Sequence, residues 1–72
     1  MEVRLFATLR ENRESTLQID WNEGSDGYAL LKSLNIAPDD AAIFLINGKH
    51  SRLDVPLSAD DTIAIFPPVG GG

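Results

Sequence analysis

The feature that most constrains the fold is one short amphipathic segment, residues 28–34, which follows two stretches that alternate apolar and polar residues and precedes a continuous apolar run. Its apolar side chains recur three and four positions apart, as on one face of a helix: Tyr28, Leu30, Leu31 and Leu34. A helix of two turns is marginal in isolation, so this face must pack on another element. The segment therefore predicts a single helix docked on a sheet, with Ser25 or Asp26 as N-cap and an end near Asn35.

Two alternating stretches before the helix predict an antiparallel β-hairpin. Residues 2–8 and 17–22 carry apolar residues at every second position: Val3, Leu5 and Ala7 in the first, Leu17, Ile19 and Trp21 in the second. The charged segment between them is expected to form the connecting loop, with Arg10 and Arg13 solvated. Phe6 interrupts the otherwise polar face of the first stretch. Either it packs beneath a neighbouring element, or it belongs to an exposed apolar contact patch.

Three further strands are predicted after the helix. Residues 42–46 form a continuous apolar run, which is typical of a strand buried on both faces at the centre of a sheet. The Asn-Gly pair at 47–48 predicts a tight turn into a short strand at residues 50–53, because both residues tolerate positive φ. A loop at residues 54–61, with room for one helical turn, then leads into the last strand at residues 62–66.

This order of elements predicts an α+β domain in which a mixed sheet of four or five strands packs on one helix. A chain of 72 residues is one small domain, and its 43% hydrophobic content argues against disorder. The chain has no cysteine, which excludes disulfides, thiolate metal sites and a thiol nucleophile.

Charge and apolar patterning restrict the partners of the chain. The net charge of −5 weighs against a nucleic-acid binder, which must neutralise phosphates with lysine and arginine. A basic face on a protein partner fits better, although acidity also serves solubility. The longest apolar run is far shorter than the roughly 20 residues that span a bilayer, and the chain opens with no leader, so we expect no membrane contact and a cytoplasmic location.

The sequence contains no arrangement of residues that makes an active site. It lacks a Ser-His-Asp set and a phosphate-binding glycine loop that leads into a helix. The single histidine, His50, has neither a cysteine nor a second histidine to share a metal with, so we expect it on the surface. These observations predict a non-catalytic protein with no bound cofactor or metal.

The last seven residues have little capacity to extend a sheet or a core: Phe66, Pro67, Pro68, Val69, Gly70, Gly71 and Gly72. The two prolines lack N–H groups, so strand pairing must stop there. The three glycines have no Cβ and extend roughly 10 Å from the domain. We therefore expect a domain at residues 1–69 and a flexible tail at residues 70–72, which ends in the α-carboxylate of Gly72. An inert, frayed terminus is the alternative.

This ending, with residues 6–11 (FATLRE) and 46–49 (INGK), resembles the MoaD branch of the MoaD/ThiS family of sulfur carriers, the small subunits of molybdopterin synthase. The similarity spans the whole chain, and the FPPV segment followed by terminal Gly-Gly is its most specific part. Family members often carry Ser, Thr or Ala where this chain has Gly70. The resemblance implies a ubiquitin-like β-grasp fold whose first and last strands are parallel neighbours, so that Phe6 and Phe66 lie together beside the tail.

The resemblance also implies a reaction cycle. An ATP-using adenylating enzyme of the MoeB/ThiF type activates Gly72, and sulfur replaces the adenylate to give a thiocarboxylate. The tail then enters a MoaE-like large subunit of molybdopterin synthase, where the sulfur passes to a pterin precursor. The partner surface implied by this cycle consists of the two phenylalanines and the segment that follows them: Phe6, Phe66, Pro67, Pro68 and Val69.

Three alternatives to this cycle stay open. In the first, the chain is a sulfur carrier for another product, such as the thiazole of thiamin. In the second, the activated Gly72 forms an isopeptide bond with a lysine, as in a protein modifier. In the third, the domain is a plain interaction module with an inert tail. The first two use the same tail chemistry, whereas the third predicts that loss of the two terminal glycines changes no activity.

Overall fold

The computed structural model describes residues 1–11 and 13–68, apart from the side chain of Arg10. Its elements are five strands, one α-helix and two short 3-10 turns: β1 (Glu2–Leu5), a 3-10 turn (Ala7–Arg10), β2 (Thr16–Gln18), α1 (Gly27–Ser33), a 3-10 turn (Pro38–Asp40), β3 (Ile43–Ile46), β4 (Lys49–His50) and β5 (Thr62–Phe66). None of the helices in these residues is both long and apolar enough to cross a membrane.

The five strands form one mixed sheet in the order β2-β1-β5-β3-β4. β1 and β2 are antiparallel, which confirms the predicted hairpin, and β1 runs parallel to β5. β5 also pairs with β3 in antiparallel fashion. This topology, with α1 on one face, confirms the β-grasp fold and the parallel first and last strands.

The core lies between α1 and one face of the sheet. Two helical residues, Leu30 and Leu31, are fully buried there. They share one cluster with alternate residues of the two central strands: Val3, Leu5, Ile63 and Ile65, each at most 1% exposed. Complete burial of such a side chain stabilises the fold by about 1.5–3 kcal/mol. The helix is therefore held by packing on the sheet, as its length requires.

The predicted ends of the helix are close to those observed. Asp26 is the N-cap, and its carboxylate accepts a hydrogen bond from Ala29 N at 3.0 Å. The helix ends at Ser33, and Asn35 follows with a left-handed φ of 59°. The prediction that Tyr28 faces the core is wrong, because its side chain is 51% exposed.

Gly27, the first residue of α1, is buried and lies against the loop that contains Leu53. Its N–H donates to Leu53 O at 2.7 Å, and a Cβ on Gly27 would lie 2.9 Å from the same oxygen. The first turn of α1 therefore approaches the neighbouring backbone so closely that only glycine fits, and the tyrosine ring is directed away from the core.

Both hairpin strands are shorter than predicted. β1 ends at Leu5, and Ala7 is exposed in a 3-10 turn with a positive φ of 54°, so it does not join the core face. β2 ends at Gln18. Ile19 and Trp21 nevertheless remain partly buried against the core, as their alternation indicated.

The second half of the sheet differs from prediction in detail. The prediction that residues 42–46 form the central strand, buried on both faces, is wrong. β5, confirmed at residues 62–66, is the central strand, and β3 lies beside it and buries only Phe44. The predicted tight turn is confirmed, since Asn47 and Gly48 have φ values of 52° and 85°. The strand that follows is Lys49–His50 rather than residues 50–53. After the two-residue turn, Lys49 already pairs with Ile46 at the end of β3, so β4 begins there.

The loop at residues 54–61 contains no helical element in the structure. It is fixed instead by backbone contacts to the segment before α1, where Leu57 N donates to Ser25 O at 2.8 Å. The Leu57 side chain is 2% exposed and belongs to the core. This anchorage replaces the helical turn for which the sequence had room.

Candidate functional site at the end of the last strand

β5 brings the C-terminal stretch out of the middle of the sheet. The strand pairs along its length with β1 on one side and β3 on the other. Its alternation buries Ile63 and Ile65 on the helix face and leaves Ala64 and Phe66 half-buried on the opposite face. The position of Phe66 is therefore held by its pairing with Ile43 of β3 and by the preceding residue, Ile65, which pairs with Leu5 of β1 and is buried in the core.

Phe6 and Phe66 stack on each other at this end of β5. Their ring centroids are 4.1 Å apart, and the ring planes are inclined by 6°. The chain of Phe6 is held in place by a hydrogen bond from its N–H to Ile65 O at 3.2 Å. This arrangement confirms that the two rings lie together. It also favours the contact-patch alternative for Phe6, since the ring is half-buried against Phe66 and takes no part in the core.

An apolar surface extends from the stacked rings across three strands. The register places Ile43 beside Phe66 and Leu45 beside Ala64, and neighbouring residues in register share one face of a sheet. We call this surface the sheet patch, formed by Phe6, Ile43, Leu45, Ala64 and Phe66. All five are half-buried, and none belongs to the core cluster. Because α1 packs on the opposite face, the sheet patch is open to a partner.

The segment that follows the patch is only partly described. Pro67 is half-buried and Pro68 is exposed, and β5 ends at the residue before them. The predicted roles of Val69, Gly70, Gly71 and Gly72, and the predicted boundary between residues 69 and 70, fall outside the described residues.

A polar border flanks the patch on the side of β2. Arg4 Nε donates to the Glu2 carboxylate, and Gln18 Nε2 donates to the other oxygen of Glu2 at 3.4 Å. The hydrogen bond from Arg4 is the main cause that lowers the pKa of the Glu2 carboxyl below its usual value, and the charge of Arg4 adds to the effect. The Glu2 carboxylate is therefore ionised at neutral pH.

Sequence reasoning missed a structural role of Arg13. Its Nη1 donates to Leu34 O at 2.8 Å, so this residue of the hairpin loop satisfies a carbonyl at the C-terminal end of α1. Arginine beside a helix C-terminus also complements the helix dipole. No local signal indicates this contact, because the two residues are far apart in sequence.

The described residues offer little to a metal ion. Within them, no three His, Cys, Asp or Glu side chains lie close enough together to hold one. His50 is exposed on β4, which confirms its predicted surface position. The arrangement of this region is therefore that of a contact surface beside a chain end.

The chain is similar to the members of one protein family and to several solved structures. The ThiS family model matches residues 3–72. No curated protein shows a significant match to the sequence.

Three solved structures are similar over nearly the whole chain. The crystal structure of small archaeal modifier protein 1 from H. volcanii is 26% identical, with a TM-score of 0.77 and coverage of 94% of this chain and 95% of that chain. A crystal structure of SAMP1 from Haloferax volcanii is 29% identical, with a TM-score of 0.72 and coverage of 99% and 97%. A chain in the complex of subunits 1 and 2 of the molybdopterin-converting factor from Helicobacter pylori 26695 is 27% identical, with a TM-score of 0.63 and coverage of 99% and 96%.

Proposed function

This chain belongs to the ThiS family, and from that premise we propose that it is a sulfur carrier for molybdopterin biosynthesis whose C-terminal Gly72 is converted to a thiocarboxylate. The similarity to a chain in the complex of subunits 1 and 2 of the molybdopterin-converting factor supports this choice of product. The two chains have nearly the same length, because the similarity covers 99% of this chain and 96% of that one.

The proposed chemistry begins at the α-carboxylate of Gly72. A carboxylate is ionised at neutral pH and is a poor acyl electrophile. In the proposed cycle an adenylating enzyme of the MoeB/ThiF type joins it to the α-phosphate of ATP and releases pyrophosphate. A sulfur nucleophile then attacks the acyl carbon and AMP leaves, so that one oxygen of the tail has been replaced by sulfur. The carrier itself supplies the acyl group and holds no cofactor, and ATP is used by the adenylating enzyme.

The observation that carries the proposal is the Phe6–Phe66 stack on an open sheet face where β5 ends. An apolar surface of this kind offers a partner modest, partly apolar contacts, which allow the release that a carrier needs between two enzymes. We propose that Phe6, Phe66, Pro67, Pro68 and Val69 form the surface on which the partner docks.

The position of the surface relative to the tail supports this role. Because β5 is paired on both sides, the sheet patch and the end of β5 at Phe66 keep a fixed geometry relative to each other. The four residues from Val69 to Gly72 span roughly 13 Å when extended. A partner that covers the patch can therefore receive the carboxylate of Gly72 in a site about that distance from the end of the patch. Glycines 70–72 have no side chain that would block a narrow channel to this site.

We propose two protein partners for this surface. One is the adenylating enzyme, and the other is a MoaE-like large synthase subunit, for which the two-subunit complex offers a precedent. The net charge of −5 favours partners with a largely basic face. In this scheme the chain is a non-catalytic accessory subunit that acts in the cytoplasm, without contact to nucleic acid or membrane.

A protein modifier is the second candidate function. The two similar crystal structures named small archaeal modifier protein 1 and SAMP1 favour it, at 26% and 29% identity. The same activated Gly72 would then be attacked by a lysine amine, with AMP as the leaving group and an amide as the product. The two functions share the tail and differ in the nucleophile.

Intact mass spectrometry of the untagged protein purified from its own host tests the proposal, with fragmentation of the C-terminal peptide. A species in which one tail oxygen is replaced by sulfur supports the carrier function. Adducts that link Gly72 to lysines support the modifier function. The matched control is a variant without Gly71 and Gly72, which should carry neither change. If the wild-type protein shows only a free carboxylate under conditions that demand molybdopterin, the proposal fails.

A further inference from the structure

Arg4 stands at the border of the sheet patch and is open to solvent. It lies two residues before Phe6, so both side chains belong to the same face of the sheet. The register places Arg4 beside Ala64 of β5 on one side and beside Thr16 of β2 on the other. Its side chain is 55% exposed, although β1 is not an edge strand. Arg4 is thus a cation next to the apolar surface proposed for docking.

Glu2 orients the guanidinium of Arg4 but does not bind the outer edge of that group, which consists of its two terminal nitrogens. Arg4 donates to Glu2 through Nε. Among residues 1–11 and 13–68, neither terminal guanidinium nitrogen, Nη1 or Nη2, makes a hydrogen bond. The planar fork formed by these two nitrogens matches a carboxylate in a bidentate manner.

A recess beside Phe6 gives access to this fork. Its volume is about 400 Å³, and it is lined by Glu2, Arg4, Leu5, Phe6, Ser15 and Thr16. A side chain from a protein seated on the sheet patch can enter the recess and reach Arg4. A basic side chain would have to bind Glu2, but that carboxylate already accepts from Arg4 and Gln18 and is only 29% exposed. The recess therefore favours an acidic side chain of the partner protein.

We propose that Arg4 is a specificity-determining residue of the sheet patch, and that it pairs with an aspartate or glutamate side chain of the acceptor protein that receives the tail. The inference rests on the proposed carrier function, because it requires a protein that covers the patch. Arg4 can select a partner because its charge is opposite to the net charge of the chain. The chain carries a net charge of −5, so a uniformly basic surface would be attracted to it but would meet repulsion at Arg4. Only a partner with a carboxylate at this point fits in register.

The test measures binding of the large synthase-type subunit from the same host by isothermal titration calorimetry. Arg4→Ala is expected to raise the Kd by about tenfold or more, since it removes a charge-assisted hydrogen-bonded pair, and Arg4→Glu should raise it further. The matched control is Arg52→Ala, which breaks a similar ion pair two residues apart, to Asp54, with the arginine side chain 82% exposed. We expect it to change the Kd by less than about twofold. Circular dichroism melts verify that each variant is folded.

Four outcomes decide the question. Substitution of one acidic residue of the acceptor by lysine should restore binding of Arg4→Glu, and that rescue identifies the carboxylate. If Phe6→Ala weakens binding while Arg4→Ala binds as the wild type does, the role of Arg4 is refuted and the carrier function stands. If Glu2→Gln weakens binding and Arg4→Ala does not, the partner group is basic and the inference is overturned. If neither Phe6→Ala nor loss of the tail glycines affects binding, the proposed function fails together with the inference.

Discussion

A phenylalanine of the Phe6–Phe66 stack should contribute less to stability than a fully buried residue of the core. Both rings are half-buried and lie outside the core. Burial of half a phenylalanine side chain is worth about 0.8–1.5 kcal/mol, and an aromatic pair adds about 0.5–1.5 kcal/mol. We therefore expect Phe66→Ala to lower the free energy of unfolding by about 1.3–3 kcal/mol. Leu5→Ala, at a position that is 1% exposed, should cost about 2–5 kcal/mol because it also leaves a cavity.

A double-mutant cycle isolates the pair. The free energies of unfolding of wild type, Phe6→Ala, Phe66→Ala and the double variant are measured by urea denaturation at one pH and salt concentration. The coupling energy should be about 0.5–1.5 kcal/mol. As a control, Phe66→Ala is combined with Tyr28→Ala, which removes another aromatic ring that is 51% exposed and belongs to α1. That second cycle should be additive.

The same variants separate stability from docking. If the sheet patch is the contact surface, Phe66→Ala should reduce sulfur transfer under conditions in which the variant remains folded, whereas a core variant of equal stability should not. A Phe6–Phe66 coupling energy below about 0.3 kcal/mol would show that the rings do not stack in solution. The geometry from which the patch is argued would then be refuted.

Three further predictions concern the tail, the helix cap and the ion pair. Removal of Gly71 and Gly72 should abolish thiocarboxylate formation, measured by mass spectrometry, with an unchanged unfolding midpoint; an active truncated protein would contradict the proposed function. Asp26→Ala should cost about 1 kcal/mol in urea denaturation, and Asp26→Asn should retain most of the stability because it keeps the acceptor; equal losses would assign the effect to charge instead. Arg4→Ala should raise the pKa of Glu2 towards its usual value of 4.5, followed by NMR titration. Since folding lowers this pKa, the ion pair stabilises the protein above the pKa of an unfolded glutamate, and its contribution should vanish as the pH falls through the folded value; an unshifted Glu2 in the wild type would refute the pairing.

The last strand and the turn before β4 could be predicted from local sequence patterns. The two-residue repeat of residues 62–66 and the Asn-Gly turn were read correctly because each depends on neighbouring residues alone. The juxtaposition of Phe6 and Phe66 needed one more step, the parallel pairing of the first and last strands, which came from the resemblance to a family. Once that pairing is given, the repeat itself places both rings on one face.

The errors lie where contacts across the chain override local pattern. Ala7 adopts a left-handed φ that its residue type disfavours, so nothing in the sequence marks the early end of β1. Tyr28 fits the apolar repeat, yet it is 51% exposed, and the buried residue of the first turn is Gly27, which lies against Leu53 O. Arg13 is bound to Leu34 O across the fold. The contacts of Gly27 and Arg13 are with residues that are distant in sequence, and local reasoning has no access to them.

The central position of β5 has a mechanical consequence. A pull on the C-terminus acts along the strand axis, and four residues of β1 and four of β3 are paired with β5. Such a load shears two rows of hydrogen bonds simultaneously and does not peel them one at a time. Strands loaded in shear share the force among their hydrogen bonds. An unfolding enzyme that pulls on the C-terminus would therefore meet its strongest resistance at β5, the first strand it reaches.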